Sequence, residues 1–361
     1  MNKFTRIIAL LCFVTAFTAC SKDEDPIVVV PASDGSTLTL NGISGTEDGT
    51  SAGNSVFVDF SVDKQTSVER ASWDLGFYSG SDFKVILNNT VGATAIQIDK
   101  TDLTQVTAAD TTALVTAKTL ALGLGLGSFS YIDPVDANAT AYLAGTAIKT
   151  VSATDAENKV YIVNRGAAGL IAPVTNRGWE KIRVLRNGAG YTLQYAKINE
   201  TTFKTLTVTK DAAYNFKHVS FVTGAVTAEP EKAAWDLEWT LATYKASATI
   251  PYTYSDFVII NFLGGVTAAE VLTSTVSYAD FAEANLTGVT FLGTRDVIGS
   301  NWRATSGAPG TGAVAGVKTD RFYVVKDGTG NVYKLKFVSF TSTDSGVRGK
   351  PVIEYKLVKK A

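Results

Sequence analysis

One short block occurs twice in this chain, and no other feature limits its fold as strongly. Residues 71–77 read ASWDLGF and residues 233–239 read AAWDLEW. A second echo follows in the same order, SDFKVIL at 81–87 and SDFVIIN at 255–261. The order is kept and the spacing is not: Trp73 to Phe83 spans 10 residues, Trp235 to Phe257 spans 22. Two copies that differ in loop length describe a tandem duplication, because a solenoid needs shorter and more numerous repeats.

Within each copy the pattern is that of strands. Ser55-Val56-Phe57-Val58-Asp59-Phe60, Lys181-Ile182-Arg183-Val184 and Tyr191-Thr192-Leu193-Gln194-Tyr195 alternate apolar and polar side chains. Asn187-Gly188 supplies the positive φ of a tight turn, so 181–197 reads as a hairpin. Asp327-Gly328 does the same between Phe322–Val325 and Tyr333–Phe337. Thr and Val recur throughout, Gly numbers 31, and helical periodicity is scarce, which makes the chain all-β. Two exceptions are expected, a helix within 101–122 and two helical turns over 278–284. The 361 residues exceed one ordinary domain, so two tandem, mainly antiparallel β domains are expected, at 38–208 and 209–361.

The amino terminus says where such a chain resides. Lys3 and Arg6 precede an apolar run from Ile7 to Phe17, which is too short for the roughly 20 residues of a bilayer span. Thr18-Ala19-Cys20 then places small residues before a cysteine. The segment resembles a bacterial lipoprotein signal over 1–19, with Cys20 as the lipidated residue and 20–37 as a tether. The acidic Asp23-Glu24-Asp25 is similar to a surface-export tag of Bacteroidetes lipoproteins, which implies an outer-membrane, lipid-anchored, surface-exposed protein. Cys12 leaves with the signal, so Cys20 is the only cysteine of the mature chain and no internal disulfide or cysteine metal site can form. Loss of 1–19 removes two basic and no acidic residues, leaving a formal charge of −3. That balance excludes nucleic-acid binding, which begins with basic patches.

The Trp-Asp-Leu blocks, Asp320 to Gly328, Tyr333-Lys334-Leu335-Lys336-Phe337 and Ile353-Glu354-Tyr355-Lys356-Leu357 together resemble the HmuY family of surface lipoproteins, best over 214–361 and again over 50–197. The resemblance implies an almost wholly β fold and, as in the name-giving members, haem as the ligand and an outer-membrane receptor as the partner; the absence of a catalytic constellation makes the chain a binding protein and not an enzyme. It also implies iron ligands that are paired histidines or methionines lying after the Trp-Asp block. This chain departs there: its only histidine, His218, precedes Trp235, and its only methionine is Met1.

His218 is the one imidazole that could ligate haem iron, though a strand histidine with a structural role is the commoner reading of a single histidine among polar strand residues. Tyrosine phenolate is the second route, through Tyr252, Tyr254 or Tyr278. The aspartates of Trp73-Asp74 and Trp235-Asp236 read as structural, with indoles in the core and carboxylates accepting backbone N–H bonds at strand ends. The GLGLG run at 123–127 lacks the strand–loop–helix setting and the basic or hydroxyl ligand of a phosphate loop. Asp133 and Asp136 lack the spacing of a calcium loop. No serine elbow or paired-carboxylate segment supports hydrolysis. Two functions stay open: a haem-binding lipoprotein, and a structural or adhesive surface module with no small ligand.

Overall fold

Side-chain alternation and turn chemistry divide the chain into short strands, in a computed structural model that describes residues 31–123, 125–170, 174–305 and 314–361. The first half holds β1 (Gly35–Thr39), β2 (Asn54–Asp59), β3 (Lys64–Glu69), β4 (Leu75–Tyr78), β5 (Val85–Leu87), β6 (Thr94–Gln97), β7 (Tyr161–Asn164), β8 (Trp179–Asn187), β9 (Gly190–Lys197) and β10 (Lys204–Val208). The second holds β11 (Phe216–Ser220), β12 (Gly224–Val226), β13 (Leu237–Lys245), β14 (Pro251–Ile260), β15 (Thr267–Leu272), β16 (Arg303–Ala304), β17 (Gly316–Val317), β18 (Arg321–Lys326), β19 (Val332–Ser339) and β20 (Val352–Lys359). The protein is all-β, and every named strand pair is antiparallel. The expected signal at 1–19, Cys20 and most of the expected tether lie outside the described residues.

Two sandwiches stack into four layers. In the first, sheet β12-β11-β4-β5 packs on sheet β10-β9-β8-β7-β6 around Leu75, Phe77, Val163, Ile182, Tyr191 and Val219. In the second, sheet β14-β13-β2-β3 packs on sheet β1-β20-β19-β18-β15 around Val58, Leu237, Trp239, Tyr333 and Tyr355. The inner strands of the four-stranded sheets, β2, β4, β11 and β13, are largely buried on both faces, while the edge strands β3 and β12 are partly exposed. Val56 and Val58 of β2 point into the second core while Phe57 points the other way, and Val219 and His218 of β11 divide likewise. Period-2 alternation therefore supplies both the sandwich cores and the layer where the sandwiches meet.

The halves are not sequential domains. Hairpin β2–β3 precedes the first Trp-Asp block but pairs with the strand of the second, Val58 opposite Leu237. Hairpin β11–β12 precedes the second block but pairs with the strand of the first, Val219 opposite Leu75. β1 pairs with β20, Gly35 opposite Lys356. The expected boundary at 208/209 thus corresponds to no separation in space, and residues Ala32–Ala361 form one compact unit. The physical reason is that the two Trp-Asp strands offer nearly the same edge, so each hairpin can complete the other copy's sheet.

The hydrogen bonds of the copies superpose. Asp74 N–H donates to the Val219 carbonyl at 2.8 Å and Asp236 N–H to the Val58 carbonyl at 2.7 Å. Asn88 Nδ2 donates to the Trp73 carbonyl and Asn261 Nδ2 to the Trp235 carbonyl, each at 2.9 Å. Both asparagines begin a single 3-10 turn that ends on a left-handed glycine, Gly92 (φ 67°) or Gly265 (φ 90°). The outer strands continue the match, Thr94 opposite Asn164 in one copy and Thr267 opposite Lys326 in the other.

The hairpin at 181–197 forms as expected, with Asn187 opposite Gly190 and Gly188 at φ 55°. In the later hairpin the left-handed residue is Gly330, not Gly328, because the Asp327 carboxylate gathers the N–H groups of Thr329, Gly330 and Asn331. The helix expected over 101–122 contracts to α1 (Ala108–Thr116), fixed by a capping box between Thr107 and Asp110. Residues 278–284 hold a turn and the start of a 3-10 segment, Glu283–Gly288, in place of two α-helical turns. A second short helix, α2 (Ala139–Ala144), is capped by Asn138. No helix among the described residues is long and apolar enough to cross a membrane.

Candidate binding site

Three cavities matter, and they differ in what they can hold. The first lies where the two four-stranded sheets face each other. β11 supplies His218, β2 and β13 supply Phe57 and Glu238, and Trp73, Trp235, Tyr142, Glu229 and Arg295 close the walls. His218 and Phe57 are equivalent positions of the two hairpins. The His218 ring stands edge-on to Trp73 at 4.6 Å, and Phe57 stands edge-on to Trp235 at 5.1 Å. A Cβ on Gly76 would lie 2.7 Å from Ile86 and 3.3 Å from His218 Nε2, so only glycine lets the imidazole sit this close to the strand.

Burial sets the chemistry of this chamber. His218 is 5% exposed, and burial pushes its pKa down to about 3, with Lys217 adding to the effect. Burial pushes Glu229 up to about 8 against the opposing Phe216 N–H, which donates to it at 2.8 Å. Glu238 is raised by the same cause. Arg295 is buried, with a guanidinium Nε that finds no hydrogen-bond partner among the described residues. The free volume is about 70 Å³, room for a few waters and far below the roughly 300–1,000 Å³ of sites that take organic ligands. A haem macrocycle does not fit against His218.

The second cavity, of about 400 Å³, opens between the sandwiches where Leu122, Leu170 and Leu241 meet Tyr252 and Thr253. It separates the three tyrosines raised by the sequence. Tyr278 is packed on Phe322 with Lys334 and Lys336 over its ring. Tyr254 lies among Tyr244, Tyr252 and Phe257, its hydroxyl donating to the Lys245 carbonyl at 3.2 Å. Tyr252 is 41% exposed and lines the cleft.

The third cavity, of about 350 Å³, surrounds the second Trp-Asp block and is walled by Asp59, Lys232, Trp235, Asp236 and the Asp327–Thr329 turn. Both block aspartates accept a backbone N–H, Asp74 from Phe221 at 2.8 Å and Asp236 from Phe60 at 2.7 Å, as a structural reading requires. Their remaining partners differ, and the sequence block alone gave no sign of it. Asp74 is gripped by Arg165 through Nε at 2.9 Å and Nη2 at 3.0 Å, and by Arg177 at 2.8 Å. Asp236 has no ion pair among the described residues, and burial pushes its pKa up to about 8.

Other candidates are absorbed by the fold. The buried Asp133 accepts the N–H groups of Leu87 at 2.7 Å and Ala147 at 2.9 Å, and Asp136 pairs with Lys245 at 2.6 Å. Gly123, Gly125 and Gly127 are all left-handed turn residues. No three His, Cys, Asp or Glu side chains among the described residues stand close enough to hold a metal ion.

Comparison with known proteins places the chain. A solved protein of Bacteroides vulgatus, named as HmuY-like and haem-binding, shares 10% identity over 91% of this chain and 94% of its own, with a TM-score of 0.25. The apo form of PinO from Porphyromonas gingivitis shares 15% identity over 45% of this chain and 87% of its own, with a TM-score of 0.16. At these scores neither likeness bears on the geometry of a site. No curated protein matches the sequence. The sequence pattern of the HmuY protein family, however, matches residues 51–355 in one span that crosses both copies of the repeat, and the chain belongs to that family.

Proposed function

We propose that this protein is a surface-anchored lipoprotein that captures haem in the Tyr252 cleft for transfer to an outer-membrane receptor. The observation that carries the reading is the cleft itself. Its volume lies in the range of organic-ligand sites, its walls include three leucines, and Tyr252 offers a phenol whose ionised form ligates ferric iron. Membership of the HmuY family and the haem-binding name of the Bacteroides vulgatus protein support the choice of ligand. Cys20, after the apolar run 7–17, supplies the lipid anchor.

Titration of the mature chain with haemin tests this. A saturable Soret band is expected, shifted or lost in Tyr252→Phe and unchanged in His218→Ala, because His218 is sealed beneath Trp73. A band that disappears only in His218→Ala would refute the cleft. The second reading, a structural or adhesive module without haem, is favoured by that same sealing of the one histidine, and it prevails if no saturable band forms. Fatty-acid labelling lost in Cys20→Ala is the expected result for the anchor, and label retained in that variant would overturn it.

A further inference from the structure

The third cavity has a counterpart elsewhere in the chain, and the comparison says what is missing from it. By strand register Asn164 corresponds to Lys326, so Arg165, which grips Asp74, corresponds to Asp327. In the first copy two guanidinium groups neutralise the block aspartate. In the second, those groups are gone and two further carboxylates, Asp59 and Asp327, stand nearby, both close enough to raise the pKa of Asp236.

The acceptors facing this cavity are incompletely used. Asp236 is 5% exposed and its Oδ2 takes the Phe60 N–H, while its Oδ1 has no hydrogen bond among the described residues. Asp59 Oδ1 is taken by the N–H and hydroxyl of Ser61, and its Oδ2 is likewise open. Asp327 contributes charge only, since its own turn occupies both oxygens. Trp235 is 6% exposed, lines the cavity, and has an indole N–H with no acceptor among the described residues. Tyr333, fully buried and within electrostatic reach of all three carboxylates, also has an unpartnered hydroxyl. Lys232 at the wall forms no ion pair among the described residues.

We propose that the cavity walled by Asp59, Trp235 and Asp236 binds a guanidinium group from outside the chain, which takes the place that Arg165 and Arg177 occupy in the first copy. A planar guanidinium suits two open carboxylate oxygens and an aromatic wall, and it is less strongly hydrated than an ammonium. A metal ion is the poorer occupant, because three ligating side chains do not converge. Binding carries a signature. Asp236 is held protonated by burial, with Asp59, Asp327, Tyr333 and Lys232 as the titratable groups around it, so the incoming cation displaces a proton to solvent. Affinity therefore rises about tenfold per pH unit up to pH 8 and levels off above it.

Calorimetric titration of the full mature chain with argininamide at pH 8 is the test. Saturable binding with proton release is expected, with the neutral isostere citrullinamide silent. Asp236→Asn, which keeps an oxygen for Phe60 N–H, and Asp59→Asn, which leaves the block intact, should each weaken binding at least tenfold. Equal binding of citrullinamide, wild-type affinity in both variants, or displacement of argininamide by calcium ions would overturn the proposal. A blocked Gly-Arg-Gly peptide separates the sources. Tighter binding than argininamide identifies an arginine side chain of a partner protein, and weaker binding identifies a small free guanidinium compound. Neither result touches the haem reading, which concerns a different cleft.

Discussion

Asp74 and Asp236 occupy the same backbone setting with opposite electrostatics, and that difference makes predictions at single residues. Arg165→Met strips one of the two guanidinium partners from Asp74, leaving Arg177, and is expected to cost about 1.5–3 kcal/mol in urea unfolding. Asp236→Asn removes a buried acid with no ion-pair partner among the described residues and should raise stability at pH 6, where the folded chain holds a proton that the unfolded chain has already lost. The pH dependence follows from the same burial. Asp236 and Glu229 keep their protons in the folded chain to about pH 8, where the unfolded chain has long lost them. Their contribution is full below the unfolded carboxylate range and is lost as pH rises through 8. His218 acts on the other limb: kept neutral to about pH 3, it costs stability as pH falls below 6.5. Thermal melts from pH 4 to 9 should show Asp236→Asn and Glu229→Gln flattening the alkaline limb. His218→Phe, which installs the side chain of its counterpart Phe57, should flatten the acid limb; profiles identical to wild type would contradict these assignments. The structural role of the Trp-Asp pair was legible in the sequence because it recurs independently of the loops. The partners of each aspartate were not, since Arg165 and Arg177 lie about ninety residues or more from Asp74.

Strands and hairpins were legible because their signals are local: alternation over four to eight residues, and Asn-Gly or Asp-Gly between two runs. The exchange of hairpins was hidden for the same reason. Which of two similar Trp-Asp strands receives β2 or β11 is decided by geometry across the whole chain, and no residue near either hairpin encodes it. Fragments test the exchange directly. Residues 70–228 contain every strand of the first sandwich and should melt cooperatively alone, whereas residues 209–361 lack β1, β2 and β3 and should not. Circular dichroism and urea unfolding of both fragments decide the matter, and a cooperatively folded 209–361 fragment would mean that the hairpins pair within their own copies.

At the scale of the whole molecule, the sites arise where the fold brings distant segments together. The cavity at Asp236 draws on residues 59, 232–236, 263–265 and 327–329, and the Tyr252 cleft draws on residues 90–92, 121–123 and 252–253. Neither set is a motif, so fourteen tyrosines and thirty-four acids gave no ranking until the fold grouped them. Long-range pairing also sets the order of folding. Contacts as distant as Gly35 with Lys356 close late, because loop closure must precede them. Amide labelling during refolding should find β4–β12 protected before β1 and β2, and simultaneous protection would refute that order. A chain delivered amino end first therefore presents β1, and the side of hairpin β2–β3 that receives β13, long before their partners exist. During that interval two open strand edges are exposed to other copies of the same protein, which offer the identical partners. The exchange that closes one molecule is, for two molecules meeting too early, the means of linking them together.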